Sequence, residues 1–313
     1  MRFLITGGGG FIGRNLIDWL TRQSSCEIRV LDNFSTGKRE HLDDLNLDVI
    51  AGDIRDSNAV SKAMVGIDTV IHLAADTRVV NSIENPNFNF DVNALGTLNL
   101  LSAAKKNDVG TFVFASTGGA ILGNVEPPVH EAMPPRPISP YGASKLTGEA
   151  YCSAFSGAYG LKTIALRFSN VYGPYSFHKG SVIAHFLNQL ISGQELIVYG
   201  NGEQTRDFVF VEDICDGIAR SLQSPHTGVY QLGTGIPLTI NQLIQLIGET
   251  VQGLHDMKVR YVAPRSGEIQ HTWCDISRAA QDLGYEPKTP IAEGLEITWR
   301  WFSTHVVNRA QGI

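Results

Sequence analysis

Cysteine is scarce in this chain of 313 residues, and the four present, Cys26, Cys152, Cys215 and Cys274, stand far apart with no Cys-x-x-Cys pair. That spacing offers no metal-ligand set and no disulfide framework, so the thiols read as reduced and the setting as cytoplasmic. Long apolar runs are missing too. None reaches the ~18 residues of a membrane span, and no secretory leader precedes the first short apolar segment. Basic residues are not in excess: Lys and Arg total 25 against 31 Asp and Glu, a net charge of -6. With a pI near 5.8 there is no electrostatic footprint for nucleic acid. His178 and His185 lack metal-ligand spacing and read as structural, so no metal is expected. There is no internal repeat and no low-complexity linker. What remains, 43% hydrophobic and 18% charged residues, describes a globular chain long enough to bury a core as one large domain or two unequal ones.

The chain opens on the apolar run Arg2-Phe3-Leu4-Ile5-Thr6, followed at once by Gly7-Gly8-Gly9-Gly10-Phe11-Ile12-Gly13. Phe11, Ile12, Leu16, Ile17 and Leu20 then recur with helical spacing. Strand, glycine turn and helix together form the context in which a glycine fingerprint means dinucleotide binding. Gly7 permits the tight turn, Gly10 lets the backbone approach a pyrophosphate at the helix N-terminus, and Gly13 lets helix and strand pack closely. The next apolar segment, 28–31, ends in Asp32, about 20 residues on, where an acid accepts the adenosine ribose hydroxyls. A carboxylate there repels a 2′-phosphate, which favours NAD over NADP. Asp32 and Asn33 could instead serve as turn caps.

A second motif is Tyr141-Gly142-Ala143-Ser144-Lys145, preceded by Ser139 and Pro140 as an N-cap and a first helical residue would be. Residues four apart share a helix face, so the Tyr141 phenol and the Lys145 ammonium are expected to point the same way. A nearby cation lowers a phenol's pKa, and a phenol so tuned can exchange a proton with an alcohol or sugar hydroxyl.

Strand patterns at 49–51, 69–73, 111–115 and 163–168 alternate with helical spacing at 93–106 and 141–159. Such alternation predicts an α/β fold with a parallel, doubly wound sheet, its ligands beyond the carboxyl ends of the strands. Further on, helical patterns at 181–192, 213–222, 239–251, 276–283 and 291–302 mix with strand patterns at 196–199, 207–211 and 228–232, and 304–313 reads as a frayed tail.

Taken together, the chain resembles the extended short-chain dehydrogenase/reductases, in their nucleotide-sugar epimerase/dehydratase branch. The matching stretches are 6–13, 32–38 (Asp32, Asn33, Phe34, Ser35, Thr36, Gly37, Lys38), Gly52-Asp53-Ile54, His72-Leu73-Ala74-Ala75, Asn93 with Gly96-Thr97, Tyr141 with Lys145, 167–174 and 200–208. They run in the family's order from residue 1 to about 302. The resemblance implies a Rossmann domain, 1–170 plus about 205–235, whose sheet the elements at 207–232 rejoin. It also implies a smaller discontinuous α/β domain for a nucleotide sugar, about 171–204 plus 236–303. NAD would contact Gly7, Gly10, Phe11, Ile12, Asp32, Asn33, Ser35, Thr36, Gly37, Asp53, Ile54, Leu73, Ala74, Ala75, Asn93, Tyr141, Lys145 and Phe168. A UDP-sugar would meet Thr117, Tyr141, Asn170, Val182, Ile197, Tyr199, Arg206, Arg265 and Glu268, the two arginines on its diphosphate. Relatives also place a Ser or Thr hydroxyl against the reacting sugar hydroxyl. Here Thr117 is the first choice and Ser116 the second, because Gly118 stands at the commonest position. A homodimer through helices beginning near Asn93 and Tyr141 is implied as well. Relatives that expel water carry an acid pair after that hydroxyl residue, where this chain has Gly119 and Ala120. The reading is therefore 4-epimerisation through a transient 4-keto sugar. A UDP-sugar dehydratase or reductase is the alternative, and a non-catalytic NAD-sensing protein a more distant one.

Overall fold

The computed structural model describes residues 1–23, 26–250, 257–264 and 269–310, with side chains through 305. In chain order the elements are β1 (Arg2–Thr6), α1 (Phe11–Gln23), β2 (Glu27–Asp32), β3 (Asp48–Ala51), α2 (Ser57–Met64), β4 (Thr69–His72), α3 (Val79–Glu84), α4 (Pro86–Phe90) and α5 (Gly96–Lys106). β5 (Thr111–Thr117), α6 (Pro140–Tyr159), β6 (Lys162–Phe168), β7 (Asn170–Tyr172), α7 (Val182–Ile191), β8 (Leu196–Tyr199), β9 (Thr205–Phe210) and α8 (Val211–Gln223) follow. The chain closes with β10 (Gly228–Leu232), β11 (Pro237–Thr239), α9 (Ile240–Thr250), β12 (Val259–Val262), α10 (Ser277–Leu283) and α11 (Ile291–Ala310).

Seven strands form one parallel sheet in the order β10-β6-β5-β4-β1-β2-β3. Helices cover both faces, which is why all four residues of β4, the polar Thr69 and His72 included, are buried. On one face Ile5, Val113 and Ile164 pack with Leu16 and Ile17 of α1 and Ile214 and Ile218 of α8. On the other, Leu4, Phe112 and Phe114 pack with Leu100 and Leu101 of α5 and Cys152 and Phe155 of α6. β1 pairs with β2 on one side and β4 on the other. The strand order therefore reverses at β1, and a crevice opens beyond its carboxyl end. This is the expected doubly wound, Rossmann-like sheet.

Two smaller sheets lie outside it, β11-β9-β7 and β12-β8. The expectation that the strand near 207 rejoins the large sheet is corrected: β10 does, pairing with β6, but β9 pairs with β7 and β11. The Ser169 N–H bonds the Leu232 carbonyl, and beyond it the chain leaves the large sheet as β7 and carries β9 with it. The last helix runs to Ala310, past residue 302 where the sequence pattern stops. Among the described residues no helix is long and apolar enough to cross a membrane.

Candidate active site

The glycine turn sits over the crevice. Gly7 has φ 74°, and a Cβ on Gly13 would come 2.3 Å from the Gly7 carbonyl oxygen. The turn therefore closes against α1 only if both residues lack side chains. Asp32, at the end of β2, is buried and accepts the Gly9 N–H at 2.9 Å and the Phe34 N–H at 2.7 Å. Burial raises its pKa and those two bonds oppose the rise. Each carboxylate oxygen keeps acceptor capacity, as a ribose diol requires. Gly37 packs on Gly9 and Gly10. Ser35 donates its N–H to the Asn33 side chain at 3.0 Å, and Asn33 donates to Asp53 at 2.7 Å. Asp53 is held below the ordinary carboxylate range by its hydrogen bonds from Arg55. Thr36 is exposed on the same turn, and Ile54 packs beneath Gly96. Leu73 and Ala74 are bound to Thr6 through their N–H groups. Thus the residues assigned to the adenosine and pyrophosphate converge on one crevice, with the first turn of α1 presenting its N–H groups to an anion. They fit a dinucleotide. Replacing Asp32 with Ala is expected to narrow the preference for NAD over NADP by about 10- to 100-fold, the worth of hydrogen bonds to a charged group. The ratio of the two dissociation constants measures it.

α6, which carries Tyr141 and Lys145, begins as the sequence predicts. Ser139 caps α6 by accepting the Gly142 N–H at 3.1 Å, Pro140 is its first residue, and Gly160 ends it at φ 72°. Its buried face runs along Ser144, Lys145, Gly148, Glu149 and Cys152, against β5. The Tyr141 phenol is hydrogen-bonded to Thr117. Lys145 Nζ donates to the Ala115 carbonyl at 2.9 Å and lies 5.0 Å from the centre of the Phe114 ring.

Two expectations are corrected here. Ser116 does not stand in the site: its hydroxyl donates to Glu149 at 2.6 Å, and Glu149 accepts a two-point salt bridge from Arg167 at 2.8 Å and 2.8 Å. Successive strand residues face opposite ways, so only one of Ser116 and Thr117 can reach the phenol, and it is Thr117. The second correction concerns tuning. Burial pushes the Tyr141 pKa up to about 12, with the Thr117 hydrogen bond opposing and the Asp76 carboxylate assisting. Lys145 is not among the groups that shift it. Burial lowers the Lys145 pKa to about 8, and Glu149, one turn further along α6, opposes that fall.

Several supporting residues escape a reading by motif. His72 is buried, with Nδ1 2.7 Å from the Thr6 hydroxyl and Nε2 3.0 Å from that of Thr97. Thr97 spends its proton on the Asn93 carbonyl, and Thr6 accepts the Ala74 N–H. His72 therefore carries its proton on Nε2, accepting from Thr6 and donating to Thr97. Burial lowers its pKa to about 3, so the ring stays neutral. Asn93 lies in a π-helical turn, Asp91–Leu95, ahead of α5 rather than within one continuous helix. Its amide donates to the Asp76 carbonyl at 2.9 Å and the Ser144 hydroxyl at 3.0 Å, and accepts the Asp76 N–H at 2.8 Å. The residue assigned to NAD thus braces the loop after β4 against α6.

Across the crevice Asn170, Val182, Ile197, Tyr199 and Arg206 line one cavity of about 410 Å³. They come from β7, α7, β8 and β9, so only the folded chain assembles them. Arg206 also donates to the Gln270 carbonyl at 3.1 Å. Phe168 stands opposite Thr117 in the β5–β6 register, at the edge between the two halves of the crevice. Arg265 and Glu268 lie outside the described residues. Asp207, beside Arg206, is buried and accepts Thr234 N–H and Oγ1 at 2.8 Å and 2.7 Å, Gly235 N–H at 3.1 Å and the Cys274 thiol at 3.1 Å. It fastens β9 to two loops that motif reading left unlinked.

Residues 3–233 match the model of the "NAD dependent epimerase/dehydratase family". A putative UDP-glucose 4-epimerase of Methanocaldococcus jannaschii is 36% identical over 308 residues, covering 96% of this chain and 98% of that one. A dTDP-glucose 4,6-dehydratase of Streptomyces niveus is 33% identical over 313 residues, covering 96% and 93%. The solved UDP-glucose 4-epimerase of Thermotoga maritima, with UDP-glucose, superposes with a TM-score of 0.93 at 36% identity, over 98% of this chain and 100% of that one. With its glycine turn over the crevice, Asp32 at the end of β2 and Tyr141 and Lys145 on α6, this chain belongs to the NAD dependent epimerase/dehydratase family and is a nucleotide-sugar enzyme with NAD as its cofactor.

Proposed function

We propose that the enzyme inverts C4 of a UDP-hexose or UDP-N-acetylhexosamine. The observation that carries this reading is the Tyr141–Thr117 hydrogen bond at the end of β5, followed by Gly118, Gly119 and Ala120, where no side chain can transfer a proton. One phenol and one hydroxyl suffice to take the C4 hydroxyl proton and give it back, while expulsion of water from C6 needs a further acid. NAD, which the glycine turn and Asp32 would hold, would supply the hydride acceptor and donor at C4. Tyr141 is the proton acceptor and donor, Thr117 orients the C4 hydroxyl, and Lys145, one turn along the same face of α6, would hold the nicotinamide ribose. Arg206 holds the diphosphate, with Arg265 as its partner and Glu268 on the ribose, while Ile197 and Tyr199 flank the uracil. In this reading residues 1–170 and about 205–235 serve the cofactor, and about 171–204 and 236–303 the nucleotide sugar. Four free thiols suit a cytoplasmic enzyme. Val80, Ile83, Phe88, Leu95 and Tyr151, exposed on α3, α4, the turn before α5 and α6, support a homodimer through that face.

The test is product analysis by NMR after incubation with UDP-glucose, UDP-N-acetylglucosamine and UDP-glucuronate. A C4 epimer of UDP-glucose or UDP-N-acetylglucosamine is expected; turnover of neither, or a product lacking water, overturns the reading. In the same assay Thr117→Val, which removes the hydroxyl and keeps the shape, is expected to lower turnover ~10- to 1000-fold. Unchanged turnover removes Thr117 from the reaction.

A further inference from the structure

The loop after β7 carries Lys179, a cation that no anion neutralises among the described residues. Lys179 is partly buried. Its Nζ donates to the Val171 carbonyl at 2.8 Å and lies 5.1 Å from the centre of the Phe11 ring. Among the described residues no carboxylate pairs with it. Burial by itself lowers its pKa to about 8, with no charged group contributing. Arg14 and Arg167, also buried, are paired with carboxylates, Arg14 with Asp18 and Asp44 and Arg167 with Glu149; the buried cation that resembles Lys179 is Lys145, held by a carbonyl beside a phenyl ring and itself assigned to the cofactor. Taking an ammonium out of water without a counter-charge is costly, and Val171 uses one of its three donors.

Its position says what the others face. Phe11 is the first residue of α1, whose leading N–H groups form an anion site at the glycine turn. Val171, Gly180 and Ser181 line the cavity that Arg206 also lines, and the Ser181 hydroxyl is buried with no hydrogen-bond partner. Lys179 therefore bridges the start of α1 and the wall of the nucleotide-sugar cavity.

We propose that Lys179 is a diphosphate-binding residue at the junction of the glycine turn and the sugar-nucleotide cavity. The proposal rests on the reading that these two places take a dinucleotide and a nucleotide sugar. Either ligand carries the required diphosphate, and the two arms of the experiment separate them. UDP is titrated calorimetrically into NAD-loaded wild type, Lys179→Met and Lys179→Arg, and the rate at which each protein releases NAD is followed in parallel. Loss of the charge in Lys179→Met is expected to weaken UDP at least tenfold, if the substrate diphosphate is the ligand, or to speed NAD release at least tenfold, if the cofactor is. Lys179→Arg, which keeps the charge, is expected to remain close to wild type. UDP affinity and NAD release both unchanged in Lys179→Met overturns the proposal. Wild type that binds no UDP contradicts the epimerase reading instead, and leaves the NAD arm to decide on Lys179. If Lys179→Met does not fold, Lys179→Gln replaces it, and the salt dependence of UDP affinity is read as well. A slope as steep as that of wild type overturns the proposal.

Discussion

Tyr141→Phe is expected to lower C4 inversion by at least ~100-fold, the scale of a general acid/base, while leaving NAD and UDP binding intact. The substitution deletes one oxygen from a helix held by contacts that do not involve it. Ser139 caps the first turn, Ser82 accepts the Tyr141 backbone N–H at 3.1 Å, Asn93 bonds Ser144, and Lys145 reaches the Ala115 carbonyl. What disappears is the partner of Thr117 and the group proposed to exchange the sugar's proton. Turnover is read with purified protein free of host epimerase, alongside calorimetric titrations of both ligands. Near-wild-type turnover would contradict the role given to Tyr141, and lost NAD binding would show that the phenol is part of the scaffold.

Arg167→Leu is expected to destabilise the protein by about 3–5 kcal/mol, because it leaves the buried Glu149 carboxylate without its two-point partner. The effect reads as a lower denaturant midpoint at unchanged slope. Replacing both residues by leucine removes the orphaned charge and is expected to recover most of that stability, since a buried ion pair and an apolar pair of similar volume are close in free energy. The double variant separates packing from electrostatics. Glu149 is the carboxylate that opposes the fall in the Lys145 pKa, so without it Lys145 loses its proton at a lower pH. A folded-state Lys pKa that falls further from about 8 means the charged form survives only at more acidic pH. The alkaline limb of the activity profile should therefore move downward in Glu149→Leu/Arg167→Leu, even though stability has recovered. An unmoved limb would confine the pair to a packing role.

The large sheet and the catalytic helix were legible because their signals are local. A glycine turn between an apolar strand and an amphipathic helix, and Ser139-Pro140 before Tyr141, each lie within a few residues and admit few alternatives. Family likeness extended this to the cavity, whose wall residues are dispersed from Asn170 to Arg206. The choice between Ser116 and Thr117 was also available, since strand alternation sends one of them away from the phenol, but which one depends on where α6 packs. Contacts across long sequence separations were not legible. Arg167 with Glu149, His72 between Thr6 and Thr97, and the loops gathered by Asp207 join residues that no spacing rule connects. The fate of β9 was hidden for the same reason. Its apolar pattern suits either sheet, and the decision is made by β7, three residues too short to give a periodic signal. Lys179 sits in a loop whose composition is unremarkable until the fold carries it to Phe11.

The central claim is inversion at C4 with nothing expelled from the sugar. It is tested most directly by running the reaction in deuterium oxide and reading the product by mass spectrometry and NMR. If Tyr141 and Thr117 handle only the hydroxyl proton, the hydrogen bound to C4 never exchanges with water. The account predicts a C4 epimer that, once its hydroxyls are returned to ordinary water, has unchanged mass and no deuterium on any sugar carbon. A product lighter by one water, or deuterium at C5 or C6, would contradict it.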